Sequence, residues 1–426
     1  MPIYLDHAAT TPLRREALEA MLPYLTESFG NASSAHGFGR VARAGLDDAH
    51  ERVACSIGAQ TREIVFTSGG SESNNLAVKG AAWAGKARGH RIVTTAVEHH
   101  SVGHTMRYLE KFGFEIVELP VDRYGRVDPN QIEAAITPRA ILVSVMLANN
   151  EVGTIQPIAE IAARVHRHKG VLFHTDAVQA AAHLDIDVAA LDVDLLSIAA
   201  HKFEGPKGVG ALYVRHRTNI LPQQQGGAQE RYRRAGTEDV AGAVGMATAL
   251  ELAAAERAAT GPRVSALRES LARRLRGIEG VHETGHPTER LANNVSIVVD
   301  GLDGASLAMA LDLAGLACST GSACVTGSAE ASHVLAAMGY PDDEAKGALR
   351  FSLGRTTTAD EIEEAGRLIE LAIGAQREAA AALAAANMAL LSTHNAEASA
   401  SSAAEAAAAE AAASARAASA SEATAG

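Results

Sequence analysis

Short apolar runs alternate with stretches of helical periodicity between residues 62 and 214 of the chain. Most of the runs are continuously apolar, which is typical of strands that helices cover on both faces. Helical patterns such as 76–86 and 158–168 separate most of them. The pattern predicts a doubly wound α/β sheet. The runs are EIVFT (63–67), RIVT (91–94), EIVEL (115–119), AILVSVM (140–146), VLFH (171–174), LLSIA (195–199) and VGALYV (209–214).

One connection between these runs is too short for the pattern. Nine residues join Ala199 to Val209, whereas a crossover between parallel neighbours needs about a dozen residues or more. The two runs are therefore expected to pair antiparallel, or not to be neighbours in the sheet.

The second half of the chain has longer helical patterns and fewer strands. Two helices are predicted at Val240–Ala259 and Val264–Ile278, and two strands at Asn294–Val299 and Ala348–Leu353. This mixture predicts a smaller α+β domain that ends near residue 375.

The C-terminal segment has a different composition. From Ser392 onward it contains no Val, Ile, Leu, Met, Phe, Trp, Tyr or Cys, so it has no large apolar side chain to bury in a core. Its alanine content favours a helix, but a helix without a docking face is marginal in water. Residues 379–426 are therefore predicted to be an Ala/Ser-rich low-complexity tail.

The composition limits the partners and the compartment. The chain has 426 residues, 47% of them hydrophobic, and a net charge of −12, which argues against nucleic acid or an anionic membrane surface as the main partner. Neither a signal peptide nor an apolar run of about 20 residues is visible. Three cysteines make no disulfide framework, so a reducing cytoplasm is expected.

Two segments carry the residue types of an anion site and of a cofactor site. The segment TSGGSESNN, which contains Ser71, follows a predicted strand and precedes a helical pattern. Backbone N–H groups at such a turn can surround a phosphate, although an ordinary capped helix start fits equally well. Asp176 ends another strand, at the edge where open α/β sheets bind ligands. A carboxylate there would suit a protonated pyridine nitrogen, or simply cap a helix, and Gln179 lies one turn further on.

A lysine follows the strand LLSIA. Lys202, with His201 beside it, lies just beyond this strand, and a partly desolvated lysine amine can form a Schiff base with an aldehyde cofactor. The neighbouring GPKG lacks the spacing of a nucleotide loop. A phosphate cradle, a strand-end aspartate and a Schiff-base lysine are the three parts of a pyridoxal phosphate site.

Cysteines and histidines offer further candidates. Cys324 lies among Ser, Thr and Gly, a composition typical of an accessible loop, whereas Cys318 lies on a more apolar side and is expected to be packed. Cys318, Cys324 and His333 match no standard zinc spacing. In the cluster His99, His100 and His104, one acid/base histidine fits better than a metal site, so no metal is predicted.

The order of motifs resembles the cysteine desulfurases of the NifS/IscS group, over about residues 3–374. The resemblance implies a fold-type-I pyridoxal-phosphate enzyme with a seven-stranded, mainly parallel sheet. A large domain would span 14–258, and a small α+β domain would combine 1–13 with 259–375. The motifs are LDHAATTP, FGNASSAH, EIVFTSGGSESNN, VEHH, ANNEVGTIQP, HTDAVQ, HKFEGPKGVGALYV, RAGTED, STGSAC and LRFSLGR.

The resemblance also implies roles for single residues, with L-cysteine as substrate and a sulfur-acceptor protein as partner. Cys324 would be the nucleophile, on a long mobile loop, and Thr237 would reach the phosphate of the neighbouring subunit of a homodimer. Arg350 would bind the substrate carboxylate. The cofactor would contact Lys202 through the Schiff base, Asp176 at the ring nitrogen, Asn150 and Gln179 near the ring hydroxyl, His99 on the ring face, and Gly70, Ser71 and His201 at the phosphate.

The sequence departs from these relatives in three places. Ala199 stands where they usually have a phosphate-binding serine, so one hydrogen bond is lost unless Ser197 or a water replaces it. Ser71 stands where many have threonine, and the Ala/Ser tail replaces the terminus on which some relatives dock acceptors. The same fold also serves selenocysteine lyases and class V aminotransferases, and a non-catalytic assembly subunit is a third alternative.

Overall fold

A computed structural model describes residues 2–321 and 331–423, with side chains up to 420. The chain forms two compact units, Met1–Glu370 and Leu371–Gly426. The strands are β1 (Ile3–Tyr4), β2 (Ile64–Thr67), β3 (Arg91–Thr95), β4 (Glu115–Leu119), β5 (Ala140–Ser144), β6 (Leu172–Asp176), β7 (Leu195–Ala199), β8 (Gly210–Val214), β9 (Val281–Glu283), β10 (Asn294–Val299), β11 (Leu316–Ala317), β12 (Ser319–Thr320) and β13 (Ala348–Ser352). The helices are α1 (Arg15–Thr26), α2 (Gly37–Ser56), α3 (Gly70–Gly85), α4 (His100–Glu110), α5 (Pro129–Ala135), α6 (Ile158–Val165), α7 (Val188–Leu191), α8 (Gln229–Tyr232), α9 (Val240–Arg276), α10 (Gly304–Leu313), α11 (His333–Ala337), α12 (Asp342–Ala345) and α13 (Ala359–Ala423).

The seven-stranded sheet has the order β2-β8-β7-β6-β5-β3-β4. Only β8 runs against its neighbours, and it pairs antiparallel with β7 and β2. Its pairing with β7 confirms the orientation expected from the short connection after Ala199. The predicted α/β fold with a seven-stranded, mainly parallel sheet is confirmed.

Helices cover both faces of this sheet, as the continuous apolar runs require. Along β2, Val65 packs in one apolar cluster with Leu76 of α3, while Ile64 and Phe66 pack in the opposite cluster with Leu46 of α2. Alternate residues of a strand point to opposite faces. Since both faces are buried, all four residues of β2 are apolar or hydrogen-bonded.

Two smaller sheets form from the ends of the first unit. The order β12-β13-β10-β9 is antiparallel throughout, and β1 pairs with β11 in parallel. The N-terminal strand therefore lies beside residues near 316, more than three hundred positions away in sequence. This pairing brings Asp6 and Arg350 together, as described below.

The prediction of two helices around residue 262 was wrong, because α9 is continuous from Val240 to Arg276 and contains Pro262. A proline removes one backbone donor and crowds the preceding turn. Here the helix is held by packing on both sides of the proline, with Val240–Leu250 almost entirely buried at one end and Leu271 and Leu275 at the other. Tertiary packing therefore outweighs the local breaker.

The C-terminal helix extends further than the tail composition indicated. α13 is helical to Ala423, and every side chain from Glu378 to Ala420 is exposed. No helix in the described residues is long and apolar enough to cross a membrane.

Candidate active site

A cavity of about 270 Å³ lies at the carboxyl ends of the central parallel strands. In open α/β sheets this edge is where ligands bind, because the strand-to-helix loops diverge there. Each contributing element ends or begins at the cavity. Its lining residues are Ala8, Ala9, Gly70, Ser71, Asn74, His99, Ser101, Met146, Asn150, Asp176, Val178, Gln179, Ala199, His201, Lys202 and Arg350.

Asp176 is the last residue of β6, and only 4% of it is exposed. Its Oδ1 accepts a hydrogen bond from the Val178 N–H at 2.9 Å, and its Oδ2 accepts one from Asn74 Nδ2 at 2.6 Å. Both donors are neutral groups. A buried carboxylate whose hydrogen bonds come from neutral donors is suited to a cationic partner in the cavity.

Lys202 ends the short 3₁₀ turn Ala200–Lys202 that follows β7. Its Nζ donates to the carbonyl oxygens of Ala8 at 2.5 Å and Ala9 at 2.8 Å. Gln179 Nε2 donates to the same Ala8 oxygen at 2.9 Å. The amine is therefore oriented by the N-terminal segment, within the cavity that Asp176 also lines.

The N-terminus of α3 forms another wall of the cavity. The first N–H groups of a helix have no partner within the helix and attract anions. Gly70 begins α3, and a Cβ there would lie 2.7 Å from Val178 Cγ2, so the close approach needs glycine. His201 lies opposite; burial, together with the charges of Lys202 and Lys207, lowers its pKa to about 4, which leaves the ring neutral at pH 7.

The missing phosphate-site serine has no side-chain substitute from β7. Ala199 lines the cavity. Ser197 is fully buried and its Oγ bonds His174 Nε2 at 3.0 Å, away from the lining residues.

Arg350 enters the cavity from β13 and is 2% exposed. Its Nη1 donates to the Asn150 carbonyl oxygen at 2.8 Å, and its Nη2 pairs with Asp6 Oδ1 at 2.8 Å. Within residues 2–321 and 331–423, the buried Nε has no hydrogen-bond partner. The guanidinium is thus fixed on two sides and keeps donor capacity for a carboxylate.

His99 caps α4, where its Nδ1 accepts from the Ser101 N–H at 3.1 Å. Burial lowers its pKa, and the Asp176 carboxylate opposes that effect. The side chain is therefore a neutral imidazole at pH 7.

These groups fit pyridoxal phosphate. An anion-binding helix start beside Gly70 and Ser71, a buried carboxylate at Asp176 and the amine of Lys202 line one cavity, and these are the three chemical contacts that the cofactor requires. The glycine at the helix start leaves room that a Cβ would fill.

Comparison with known proteins shows the family of the chain. The Aminotransferase class-V model matches residues 3–365. The chain belongs to the aminotransferase class-V family. It is 49% identical over 361 residues to the cysteine desulfurase IscS of Methanosarcina thermophila, covering 85% of this chain and 89% of that protein. Identity to the cysteine desulfurase IscS of Dictyoglomus turgidum is 50%, with 84% and 91% covered. The structure of a NifS-like protein matches with a TM-score of 0.83 at 37% identity, covering 88% of this chain and all of that one.

One predicted site residue does not line the cavity, and another lies outside the described residues. Thr237 does not line the cavity of its own chain. Cys324 lies outside the described residues. Cys318 is described, and burial together with the nearby Asp6 charge raises the pKa of its thiol to about 12, so it carries almost no thiolate at pH 7.

The cavity is also lined by residues that the sequence analysis did not predict, chiefly Asn74 and Ser101. Asn74 stands in the TSGGSESNN segment, one helical turn after Gly70, so helical spacing could have pointed to it. Ser101 stands two positions after His99, where a cap donor is expected.

The histidine cluster stays distinct from a metal centre. His100 stacks on His104 at a centroid distance of 4.9 Å and lies 4.6 Å from the His333 ring. Among residues 2–321 and 331–423, no group of three or more His, Cys, Asp or Glu side chains is arranged to hold a metal ion.

Proposed function

We propose that this chain is a pyridoxal-phosphate-dependent cysteine desulfurase, which converts L-cysteine to L-alanine and passes the sulfur to Cys324 as a persulfide. The observation that carries the proposal is the single cavity lined by Lys202, Asp176, His99 and Arg350. The two relatives named as cysteine desulfurases, at about half identity over most of the chain, support it.

The chain's own residues would bind the cofactor and the substrate from opposite sides of the cavity. Gly70, Ser71 and His201 would hold the phosphate, and Asn150 and Gln179 would contact the ring hydroxyl side. Arg350 would bind the substrate carboxylate through the donors that Asp6 and the Asn150 carbonyl leave free. A bidentate pair of this kind fixes direction as well as position.

Bound pyridoxal phosphate would supply an electron sink for charge that develops at the substrate Cα. Asp176 would keep the ring nitrogen protonated, because its buried carboxylate favours a cation beside it. The Lys202 amine would take the Cα proton and later return a proton to the product. His99, a neutral imidazole, would lie over the ring and assist that transfer.

The sulfur step balances without an external oxidant. The Cys324 thiolate attacks the substrate sulfur, an S–S bond forms, and the C–S bond breaks. The electron pair of that bond goes to the substrate Cβ, which takes up a proton and becomes the methyl group of alanine. The enzyme keeps Cys324 as a persulfide, ready for a sulfur-acceptor protein. Iron–sulfur assembly or tRNA and cofactor thiolation would be its use.

A homodimer with shared active sites fits the exposed apolar surface. Leu18, Leu22 and Leu25 on α1 and Phe38 and Val41 on α2 are 43–60% exposed, and large apolar patches of this kind mark interaction sites. Thr237 would then reach the cofactor phosphate of the partner subunit. Such an interface is isologous, so both sites would be completed together.

The remaining parts of the proposal concern the domain organisation and the cellular compartment. A large domain of 14–258 and a small domain of 1–13 with 259–375 would be linked through α9, which spans their boundary. The enzyme would work in the cytoplasm, where a thiol nucleophile stays reduced.

The test is an assay of alanine and sulfide with L-cysteine and a thiol reductant, using purified protein that shows the visible cofactor band. The proposal expects equal alanine and sulfide, both abolished in Cys324→Ser. Alanine or keto-acid formation that survives Cys324→Ser would point to a class V aminotransferase. Turnover of selenocysteine alone would point to a selenocysteine lyase.

A further inference from the structure

A chain of short hydrogen bonds joins the two groups that face the cofactor ring. Asn74 Nδ2 donates to Asp176 Oδ2 at 2.6 Å and to Ser101 Oγ at 2.9 Å. Ser101 Oγ in turn contacts His99 Nδ1 at 2.8 Å. Asn74 is 1% exposed and Asp176 4%, so bulk water does not compete for these bonds.

The direction of each bond follows from the chemistry of its ends. A carboxylate only accepts, so the nitrogen of the Asn74 amide, rather than its oxygen, faces Asp176. That nitrogen has two hydrogens, and the second goes to Ser101 Oγ. The hydroxyl accepts there, and because the Ser101 N–H already donates to His99 Nδ1, that nitrogen carries no proton and the hydroxyl donates to it as well.

His99 Nδ1 consequently receives two donors. The Ser101 N–H reaches it at 3.1 Å and the Ser101 hydroxyl at 2.8 Å. A ring nitrogen that accepts carries no proton, and a neutral imidazole then has its proton on Nε2. Protonation of Nδ1 would set a new N–H against both donors.

We propose that Asn74 and Ser101 are positioning residues that hold Asp176 and His99 as one unit and fix His99 as the neutral Nε2–H tautomer. This inference rests on the proposed function, in which Asp176 serves the ring nitrogen and His99 the ring face. The orientation of the carboxylate and the proton location on the imidazole are set by the same amide.

Loss of the Asn74 amide should change the protonation of His99 in one direction. Without that amide, Ser101 Oγ is no longer held with its proton towards Nδ1, so the hydroxyl opposes the imidazolium form of His99 less, while the Ser101 N–H still donates to Nδ1. The charged or titratable groups that face His99 are Asp176, Lys202, His104 and His333. All four remain in the variants below, so a change in the His99 titration reports on the network.

The first measurement is ¹⁵N NMR of histidine-labelled apoprotein, with the His99 signals identified by their loss in His99→Gln. The inference expects the Nε2–H pattern, with an unprotonated Nδ1, from pH 6 to 8. An Nδ1–H pattern would overturn it. Because this readout needs no cofactor or turnover, it is separate from the proposed function, whose failure would appear as a wild-type protein without alanine formation.

The second measurement is the pH profile of kcat/KM for the holoenzyme. Asn74→Leu and Ser101→Ala should each move the acidic limb upward by about half a pH unit or more, an effect of about 0.7 kcal/mol or more. Ser101→Thr, which keeps the hydroxyl, should restore the wild-type limb. The matched control is Asn75→Leu in the same helix, whose side chain bonds the Ser71 and Ser101 carbonyls and Thr105 but not Ser101 Oγ, and which does not line the cavity.

The double variant Asn74→Leu/Ser101→Ala distinguishes a series from two independent contacts. In a series, the combined shift equals the larger single shift, because either change breaks the same chain. Acidic-limb shifts that add in the double variant would contradict the proposal. So would single variants whose acidic limbs match that of the Asn75→Leu control. If Asn74→Leu fails to fold, a comparison of the acidic limbs of Ser101→Ala and Ser101→Thr tests the same proposal.

Discussion

The active-site cavity and the end of α13 both contain alanine and serine, yet small residues play different parts in the two regions. Ala8, Gly70 and Ala199 line the cavity, where a single Cβ at Gly70 would meet Val178 at 2.7 Å. From Glu378 to Ala420 in α13, every side chain is exposed. Small residues in the cavity let backbone and large polar groups converge, whereas in the helix they have nothing to approach. Substitutions should therefore be costly in the first region and nearly silent in the second.

The largest effect is expected for Lys202→Ala. The variant should lose the visible cofactor band and reduce turnover by about 10³-fold or more, since proton transfer alone contributes about 10²–10⁴-fold. The control is Lys207→Ala, an exposed lysine five positions later, which should keep both. Spectra and an alanine assay measure this; a Lys202→Ala protein that kept the band and full turnover would contradict the cavity assignment.

Arg350→Lys should come next. The charge remains, but lysine cannot form the paired bonds of a guanidinium, so kcat/KM for cysteine should fall by about 10–100-fold, or about 1.5–3 kcal/mol. The loss of kcat/KM should come from a higher KM, and the cofactor spectrum should be unchanged. Arg139→Lys, on an exposed arginine, is the control. An unchanged KM would mean that Arg350 does not contact the substrate.

Buried carboxyl groups near the cavity predict a pH dependence of stability. Burial raises the pKa of Glu98 to about 8 and that of Glu151 to about 7. The folded state therefore binds more protons than the unfolded state above pH 4.5, and stability falls as the pH rises through 7 and 8.

Buried histidines act in the opposite direction at lower pH. Burial lowers the pKa of His174 to about 3 and that of His183 to about 4, so stability falls as the pH drops below 6.5. Melting temperatures should therefore peak between pH 6 and 7. Glu98→Gln should flatten the alkaline side, while Glu118→Gln, on an exposed side chain, should leave it unchanged. A curve still rising at pH 9 would show that the carboxyls ionise freely.

The smallest effect is expected for the exposed helix. Removal of residues 392–426 should leave the melting temperature and turnover within error, because no large apolar side chain is lost. Within α13, Ile369→Ala should cost about 2–4 kcal/mol, since Ile369 is fully buried, whereas Leu390→Ala should cost almost nothing at 67% exposure. A drop of many degrees on truncation would show that the helix end is packed.

The sequence predicted those parts of the fold that local burial controls. The bounds Leu195–Ala199 match because a strand covered on both faces is buried from end to end. α9 was missed because Pro262 is a local breaker, while the packing that carries the helix past it is tertiary.

The residues of the site likewise divide into those that a local pattern predicts and those that it does not. Lys202 and Asp176 were found because each directly follows or ends an apolar strand, which places it at the ligand edge. Helical spacing from Gly70 could have placed Asn74 at the cavity, but its contacts were missed because the partners Ser101 and Asp176 lie 27 and 102 positions away. No local pattern encodes such a contact.

The central claim, that Cys324 receives sulfur from cysteine, is tested most directly by mass spectrometry of the intact holoenzyme after one turnover with L-cysteine. Added mass of one sulfur atom is expected on the Cys324 peptide. Cys318 should stay unmodified, because burial raises the pKa of its thiol to about 12 and leaves little thiolate. Cys324→Ser should keep the cofactor band and gain no sulfur. Sulfur found on Cys318 alone, or persulfide formed in Cys324→Ser, would contradict the account.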